Sequence, residues 1–471
     1  MPHTGAAGPM RARSPALNSP SSLPPRPEPP ARTPGLLKAL TVLRGDVLAA
    51  LPRVAYRRQV MAVRMGRRQI IAVNDPEVVR EVFIARAANY GRKSHFKEQA
   101  LRPVIGESLF ANHGEIWSSR RPPIGRLLHP SGIGKLQPLF QSVGGQLATR
   151  WARLAGPAGG LVDVAPDLAT ATLDVMLLAI FGPGVPEGEA RAIAEAFTRF
   201  QSGVQVIDLP YLLGLPNWLA GRHRRATLRA ATDIRHRVAG LIASMPGEEG
   251  YLGGMRALRG EDGKPLLDEI GLLEEVAMLL LAGSETAANA LAWTLYLLAT
   301  HPEWQDRARE ETTTLLGDRP PEAADLNALV VAKAVIQEAM RLYPPVAVLA
   351  RQPAATDRIR RWTIQPGDTL LCIPWLLHRH ESIWEHPHSF RPERFLPENA
   401  KAIPRFAYLP FGLGPRVCAG AAFGMAEMTT FLAILLQRFE FAAGPVPVPR
   451  FRLTLRPEGG MRIMLRPRAS R

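Results

Sequence analysis

Between Val276 and Thr300 the chain is almost continuously apolar, over a length that would cross a bilayer. The centre of this stretch reads Ser284-Glu285-Thr286, with Asn289 one turn on. A charge at mid-span is costly in lipid. The segment is therefore expected to be a buried core helix that carries a functional polar cluster. No other segment reads as a span. Pro and Ser interrupt every apolar run before Gly35, so no secretory signal is expected.

With 471 residues, 46% of them hydrophobic, the chain has enough apolar surface for a large core. Helical enzymes of this length fold as one unit. Its only two cysteines, Cys372 and Cys418, exclude a disulfide framework and suit a reducing cytoplasm. The formal charge of +16 favours an acidic partner or an anionic surface, or else reflects an Arg-rich composition without specific meaning. No nucleic-acid partner is expected, and the chain is expected to act as a monomer.

Residues 1–34 are rich in Pro, Ser, Ala and Arg and poor in large apolar side chains, so they are expected to be disordered. Gly35–Leu51 reads as a short amphipathic helix, lying on the domain's own surface or on a membrane. Val60–Met65 and Gln69–Val73 flank Gly66 as a hairpin, and Asn74-Asp75-Pro76 caps the helix that follows. Helical periodicity dominates from Trp117 to Thr300, as in Leu161–Phe181 and Leu228–Ser244. Beyond Pro344 come short strands such as Thr369–Ile373. A closing hairpin is expected to pair 453–455 with 463–465 around Glu458-Gly459-Gly460. The fold class is mainly α with a smaller β-rich portion, in one domain over 35–471.

The segment Phe411-Gly412-Leu413-Gly414-Pro415-Arg416-Val417-Cys418-Ala419-Gly420 is the most specific signal. Its first two glycines allow tight turns and close backbone approach to a flat ligand. An apolar helical pattern continues after Gly420, which puts Cys418 at a helix amino end. There the dipole and free N–H groups favour thiolate over thiol. Arg416 is placed to meet an anion. A lone cysteine is most often a buried structural residue, and Cys372, in an apolar strand, fits that description.

At every defining position this segment resembles the haem-binding loop of the cytochromes P-450. The resemblance implies that Cys418 is the axial thiolate of haem b (iron protoporphyrin IX), with Arg416 on a propionate. It implies a P-450 fold, with the haem between a long central helix and the helix that follows the cysteine loop. Glu338 and Arg341, three apart on one helix face before Tyr343-Pro344-Pro345, are similar to the family's Glu-x-x-Arg motif. In isolation such a pair is usually a solvated one of little value. Arg394, in Pro392-Glu393-Arg394-Phe395, is the implied third member of a buried network that holds the cysteine loop.

Ala282-Gly283-Ser284-Glu285-Thr286 resembles the family's oxygen-activation motif. The small pair is expected to leave room for O2, with Thr286 as hydrogen-bond donor and Glu285 as proton relay from solvent. The alternative has Thr286 bonding back to its own helix and Glu285 in a surface salt bridge. Trp117 and Arg121 are similar to a propionate-binding pair, and Arg351 matches a further propionate contact. For either arginine the alternative is a surface charge. Pro122-Pro123 directly after Arg121 is expected to delay or distort that helix.

Through this resemblance the chain is expected to insert one oxygen atom from O2 into a small hydrophobic substrate, such as a fatty acid, terpenoid, steroid or polyketide. Segments Leu101–Phe110, Phe197–Leu219, Met278–Ala282 and Val346–Leu349 would line the pocket. The turns at Asp208-Leu209-Pro210 and Gly214-Leu215-Pro216 would form a mobile lid, or plain core packing. About 50 residues follow Cys418, too few for a flavin domain. Two cysteines cannot hold an ordinary iron–sulfur cluster, so a ferredoxin or flavodoxin with its reductase is the expected electron donor. A peroxide-driven peroxygenase would not need Glu285 and Thr286, and a non-catalytic haem sensor would need an output domain that is not apparent.

Overall fold

The computed structural model describes residues 23–31, 46–65, 68–204, 222–245 and 249–468. Helices α1 (Pro76–Arg80), α2 (His95–Ile105), α3 (Gly114–Leu127), α4 (Gln137–Ala155) and α5 (Val164–Phe181) form the first half. They are followed by α6 (Glu189–Gly203), α7 (Arg222–Ser244), α8 (Gly250–Arg256) and the 32-residue α9 (Glu269–Thr300). The second half adds α10 (Pro302–Leu316), α11 (Val330–Leu342), α12 (Pro374–Leu377) and α13 (Ala421–Arg438).

Asp268 starts α9 by accepting from Gly271 N at 2.7 Å, an N-cap that satisfies one orphan donor. From there α9 runs through the core, with α5, α11 and α13 packed on it. Trp293, Leu295 and Leu297 are fully buried. A second helix, α5, also has the length and apolarity of a span, which the sequence reading did not register. In both helices most of that apolar window is buried inside the domain. Packing against other helices, not lipid, covers them.

One sheet carries strands β1 (Val60–Met65), β2 (Arg68–Val73), β3 (Arg92–Lys93), β5 (Leu349–Gln352) and β8 (Thr369–Cys372), in the order β1-β2-β8-β5-β3. The β1–β2 hairpin pairs Val60 with Val73 as expected, while its Gly66 turn lies outside the described residues. The Asp75 side chain accepts from Glu77 N and Val78 N to start α1. A small ribbon joins β6 (Asp357–Ile359) to β7 (Trp362–Ile364).

The chain's end departs from expectation. β11 (Leu455–Glu458) pairs back on β10 (Val448–Phe451), not forward on β12 (Arg462–Pro467). β12 has both edges taken, by β4 (Gly160–Asp163) and β9 (Phe439–Ala443). Gly459 and Gly460, at φ +78° and +95°, swing the chain from the ribbon into this second sheet. A Cβ at Gly460 would also strike the Asp163 carboxylate.

Two further expectations change. Within the segment read as disordered, residues 23–31 are laid against the domain, with Pro24 buried. Tyr343 Oη donates to Pro25 O at 2.8 Å, and Arg53 N to Pro30 O at 3.1 Å. Proline-rich backbone has little entropy to lose, so a few such bonds suffice to tie it down. Residues 1–22, and 35–45 of the Gly35–Leu51 helix, lie outside the described residues, while Leu48–Ala50 forms a short 3-10 turn. Pro122 and Pro123 sit inside an unbroken α3. The hydroxyls of Ser118 and Ser119 donate to the carbonyls of Glu115 and Ile116 in the preceding turn.

Candidate active site

The cysteine loop is built by backbone conformation. Gly412 and Gly414 adopt φ +73° and +68°. A Cβ on Gly414 would lie 2.0 Å from Phe83 O, so only glycine allows this approach. Phe411 O accepts from Cys418 N at 2.9 Å and closes the loop. Gly420 is the N-cap of α13. Cys418 is exposed, although protein packs around most of its thiol.

Burial pushes the Cys418 thiol up, against Gly420 N–H and Arg121, which pull it down. The expected preference for thiolate is therefore not met by helix end and arginine alone. A metal cation would supply the missing stabilisation, because coordination deprotonates a thiol outright. Cys372 is fully buried, with its thiol pushed up to about 12, as a structural cysteine would be.

Cationic groups gather around the same loop. Arg121 Nη2 donates to Val417 O at 2.7 Å, beside the cysteine. The Arg416 guanidinium lies over the Trp117 ring, 4.4 Å from its centroid. Arg351 is 7% exposed; its guanidinium donates to Ala350 O, at 3.0 Å, and lies over the Phe83 ring. Burial pushes its guanidinium down to about 10. Among the described residues no carboxylate of the chain lies within ion-pair distance of Arg121 or Arg351. A buried arginine without an acid is costly, and a ligand bearing carboxylates would remove that cost. Thiol, open glycine and arginines together fit a haem with its propionates. Sequence reasoning passed over His113, the α3 N-cap, whose pKa is lowered by burial and by the charges of Arg92 and Arg416.

Behind the loop lies the acid–arginine network. Glu338 and Arg341 are fully buried and paired through two contacts, at 2.7 and 2.8 Å. Arg394 Nε stands 3.5 Å from Glu338 Oε1. Arg341 also donates to the carbonyls of His378, Pro387 and Ser389. The sequence reading missed His378: its Nε2 accepts from Leu409 N at 2.8 Å, carrying the network into the irregular segment that enters the cysteine loop. Burial, then the charges of Arg341 and Arg379, push this imidazole down to about 3, so it is neutral. The one available signal was the His378-Arg379-His380 run straight after an apolar segment.

In α9 the polar cluster divides. Ala282 is accessible and Thr286 half-buried, one turn apart on one face. Thr286 Oγ1 donates to Ala282 O at 2.9 Å. Gly283 does not serve the cleft, since its absent side chain admits Met176 of α5. Glu285 faces elsewhere, as consecutive helical residues must. It is 8% exposed and accepts from Thr454 Oγ1 at 2.6 Å, Arg456 Nη2 at 2.8 Å and Gln201 Nε2. It lines a cavity of about 1270 Å³ between α4, α5, α6, α9 and the β10–β11 ribbon. Glu285 thus belongs to a buried network and not to a surface pair.

Of the segments expected to line a substrate pocket, Leu101, Leu109, Met278 and Val348 are buried, and Phe110 and Phe197 half-buried. Residues 205–219, with both Pro-rich turns, lie outside the described residues.

Comparison with known proteins agrees with this geometry. The cytochrome P450DA heme domain has the same fold, with a TM-score of 0.75 and 24% identity over 88% of this chain and 90% of that one. A mutant of that domain aligns with a TM-score of 0.78 and 23% identity, over 94% and 98% of the two chains. Secologanin synthase 2 of Catharanthus roseus is 31% identical over 421 residues, 85% of this chain and 79% of that one. Cyclooctatin synthase of Streptomyces melanosporofaciens is 29% identical over 430 residues, 89% and 91% of the two chains. The pattern of the cytochrome P-450 family matches residues 27–462. With haem-thiolate chemistry and O2-dependent oxidation of organic substrates as its class of reaction, the chain belongs to the cytochrome P-450 family.

Proposed function

We propose that Cys418 is the axial ligand of iron protoporphyrin IX and that the enzyme hydroxylates or epoxidises a small hydrophobic substrate. The observation that carries this reading is the accessible Cys418 thiol beside Arg121, with Arg351 buried nearby and lacking an acid. Arg121, Arg351, Arg416 and Trp117 would hold the propionates, and Phe411, Gly412 and Gly420 would shape the loop against the ring. When bound, the haem supplies activation of O2 and insertion of oxygen.

The chain's own groups do the rest. Thr286 presents a hydroxyl on the accessible face of α9, beside the small Ala282. Glu285 takes protons from the large cavity on its other side and passes them along the helix to that hydroxyl. Glu338, Arg341, Arg394 and His378 keep the loop in one conformation. Apolar side chains of α2, α6 and α9 accept an apolar substrate. Electrons come from a separate ferredoxin or flavodoxin with its reductase, in the cytoplasm, where both cysteines stay reduced. The net charge of +16 favours an acidic donor, with rates that fall as salt rises.

The test is the reduced, carbon-monoxide-bound difference spectrum of wild type and Cys418→Ser. A red-shifted Soret band in wild type alone is expected. An unchanged spectrum in the variant overturns the ligand assignment. Turnover with a surrogate ferredoxin system, compared with peroxide alone, then separates monooxygenase from peroxygenase.

A further inference from the structure

The cavity of about 1270 Å³ that Glu285 lines stands apart from the face of α9 that carries Thr286. Ala277, Leu280, Leu281, Ser284 and Ala288 supply its α9 wall. At about 3.6 residues per turn, Thr286 falls on the opposite side of the helix. Leu173 of α5, with Ile193 and Phe197 of α6, extends the apolar wall. The rim reaches the exposed residues Arg153, Leu161 and Glu187, so the compartment opens to solvent.

Arginines and acids line this cavity in equal number, and nearly all of them are answered within the protein. Arg150 pairs with Asp167, Arg191 with Glu195, Arg450 with Glu458 and Arg456 with Glu285. Asp163 accepts from Met461 N at 2.8 Å. Arg199 turns to Asp233 outside the cavity, Arg452 donates to Ser202 O, and Arg153 stands in solvent. Two of the acids, Glu187 and Asp174, have no ion pair or hydrogen bond among the described residues. Glu187 is exposed, and water serves it.

Asp174 is half-buried on α5, one turn beyond Thr170 and two beyond Asp167 on the same face. Thr170 spends its hydroxyl proton on Pro166 O, and Asp167 is taken by Arg150 and Trp151, so neither neighbour answers Asp174. The fold gains nothing from this charge, and burial makes it costly. What the carboxylate lacks is a cation. A divalent metal ion needs several oxygen ligands, and among the described residues no group of three His, Cys, Asp or Glu suits one. An apolar wall beside a single carboxylate instead matches an ammonium group carried on a hydrocarbon body.

We propose that this cavity is a second binding site, separate from the face that carries Thr286, for an apolar molecule bearing one ammonium group. Asp174 pairs with the ammonium, and Leu173, Phe197 and Leu280 cover the hydrocarbon. The inference does not rest on the proposed function, since nothing at the iron takes part.

The test is equilibrium dialysis of decyltrimethylammonium, below its micelle concentration, against the haem-loaded full chain at pH 8 and low salt. Wild type, Asp174→Asn and Ala194→Trp are compared. A quaternary ammonium has no lone pair and does not ligate iron. One molecule per chain is expected on wild type, bound at least about tenfold more tightly than on Asp174→Asn. Ala194→Trp, which adds bulk to the α6 wall without touching a charge, should weaken binding as well. Decanol, with the same chain and no charge, is expected to bind wild type and Asp174→Asn alike. Saturating 4-phenylimidazole at the iron should leave the ammonium in place. Equal affinity of wild type and Asp174→Asn overturns the proposal. So do absence of binding to wild type, unchanged binding to Ala194→Trp, and displacement by 4-phenylimidazole. If Asp174→Asn does not fold, decyltrimethylammonium and decanol are compared on wild type, and equal affinities overturn the proposal.

Discussion

Arg456 reaches out of β11 to place its Nη2 2.8 Å from Glu285 Oε1, in the middle of α9. The carboxylate is thereby held between the β10–β11 ribbon, through Thr454 and Arg456, and α6, through Gln201. Proton transfer and ribbon attachment make different demands on this one residue. Glu285→Gln keeps its size and an acceptor oxygen but cannot release a proton. Turnover is expected to fall about 100-fold, with substrate affinity unchanged and a larger solvent isotope effect. Wild-type turnover in Glu285→Gln would leave Glu285 as a clamp alone.

Among the described residues, Glu338 is the acid that answers Arg341 and Arg394 together. Removing it strands two guanidinium groups in the interior. Glu338→Ala is expected to cost about 3–5 kcal/mol and to lower the haem bound per polypeptide. Haem content and thermal melting of the purified variant check both. Retention of full haem content in a stably folded Glu338→Ala would separate the network from the loop it is argued to hold.

Much of this site was legible in the sequence because short-range spacing decides it. Cys418, Gly412 and Gly414 act through local backbone geometry, and Glu338 and Arg341 pair within one helical turn. What escaped depends on chain segments far apart. The partners of Glu285 come from residues 84, 169 and 171 positions away, and no local pattern marks them. His378 reads as a surface residue until folding brings Leu409 N against it. The terminal hairpin failed for the same reason: alternation gives strands but not partners, and β4, from the first half of the chain, takes the edge expected for β11. Pro122-Pro123 is expected to delay or distort its helix, yet α3 runs through both on an exposed stretch, where water can take the Ser118 and Ser119 carbonyls that the prolines leave unpaired.

His378 titrates in a predictable window. Its folded value is pushed down to about 3, against about 6.5 in an unfolded chain. Between these values the unfolded chain binds a proton that the folded protein refuses. The stability this residue contributes is therefore full above about pH 6.5 and lost as pH falls, by about 1.4 kcal/mol per unit. His388 is also pushed down to about 3, by burial and then by Arg26, and adds in the same direction. Urea midpoints at pH 7 and pH 5 should differ clearly in wild type and less in His378→Gln. That variant is also expected to lose about 1–3 kcal/mol at pH 7, from leaving Leu409 N–H poorly satisfied.

Asp174 should behave in the opposite sense. It stands on α5 in the wall of the large cavity, without an ion pair or hydrogen bond among the described residues. Burial alone pushes its carboxyl up to about 6 from an ordinary value of 3.8. In this window the folded protein holds a proton that the unfolded chain has released, so stability falls as pH rises from about 4 through 6. Above that range the ionised group carries an uncompensated desolvation cost of about 1–3 kcal/mol, discounted for its partial contact with the cavity. Asp174→Asn is expected to be more stable than wild type by about that amount at pH 8 and no more stable at pH 4. Guanidinium unfolding at the two pH values measures the difference. A variant that gains nothing at pH 8 would mean that a cation or a bound ligand already answers Asp174 in solution, and that the cavity is a binding site and not only a route to Glu285.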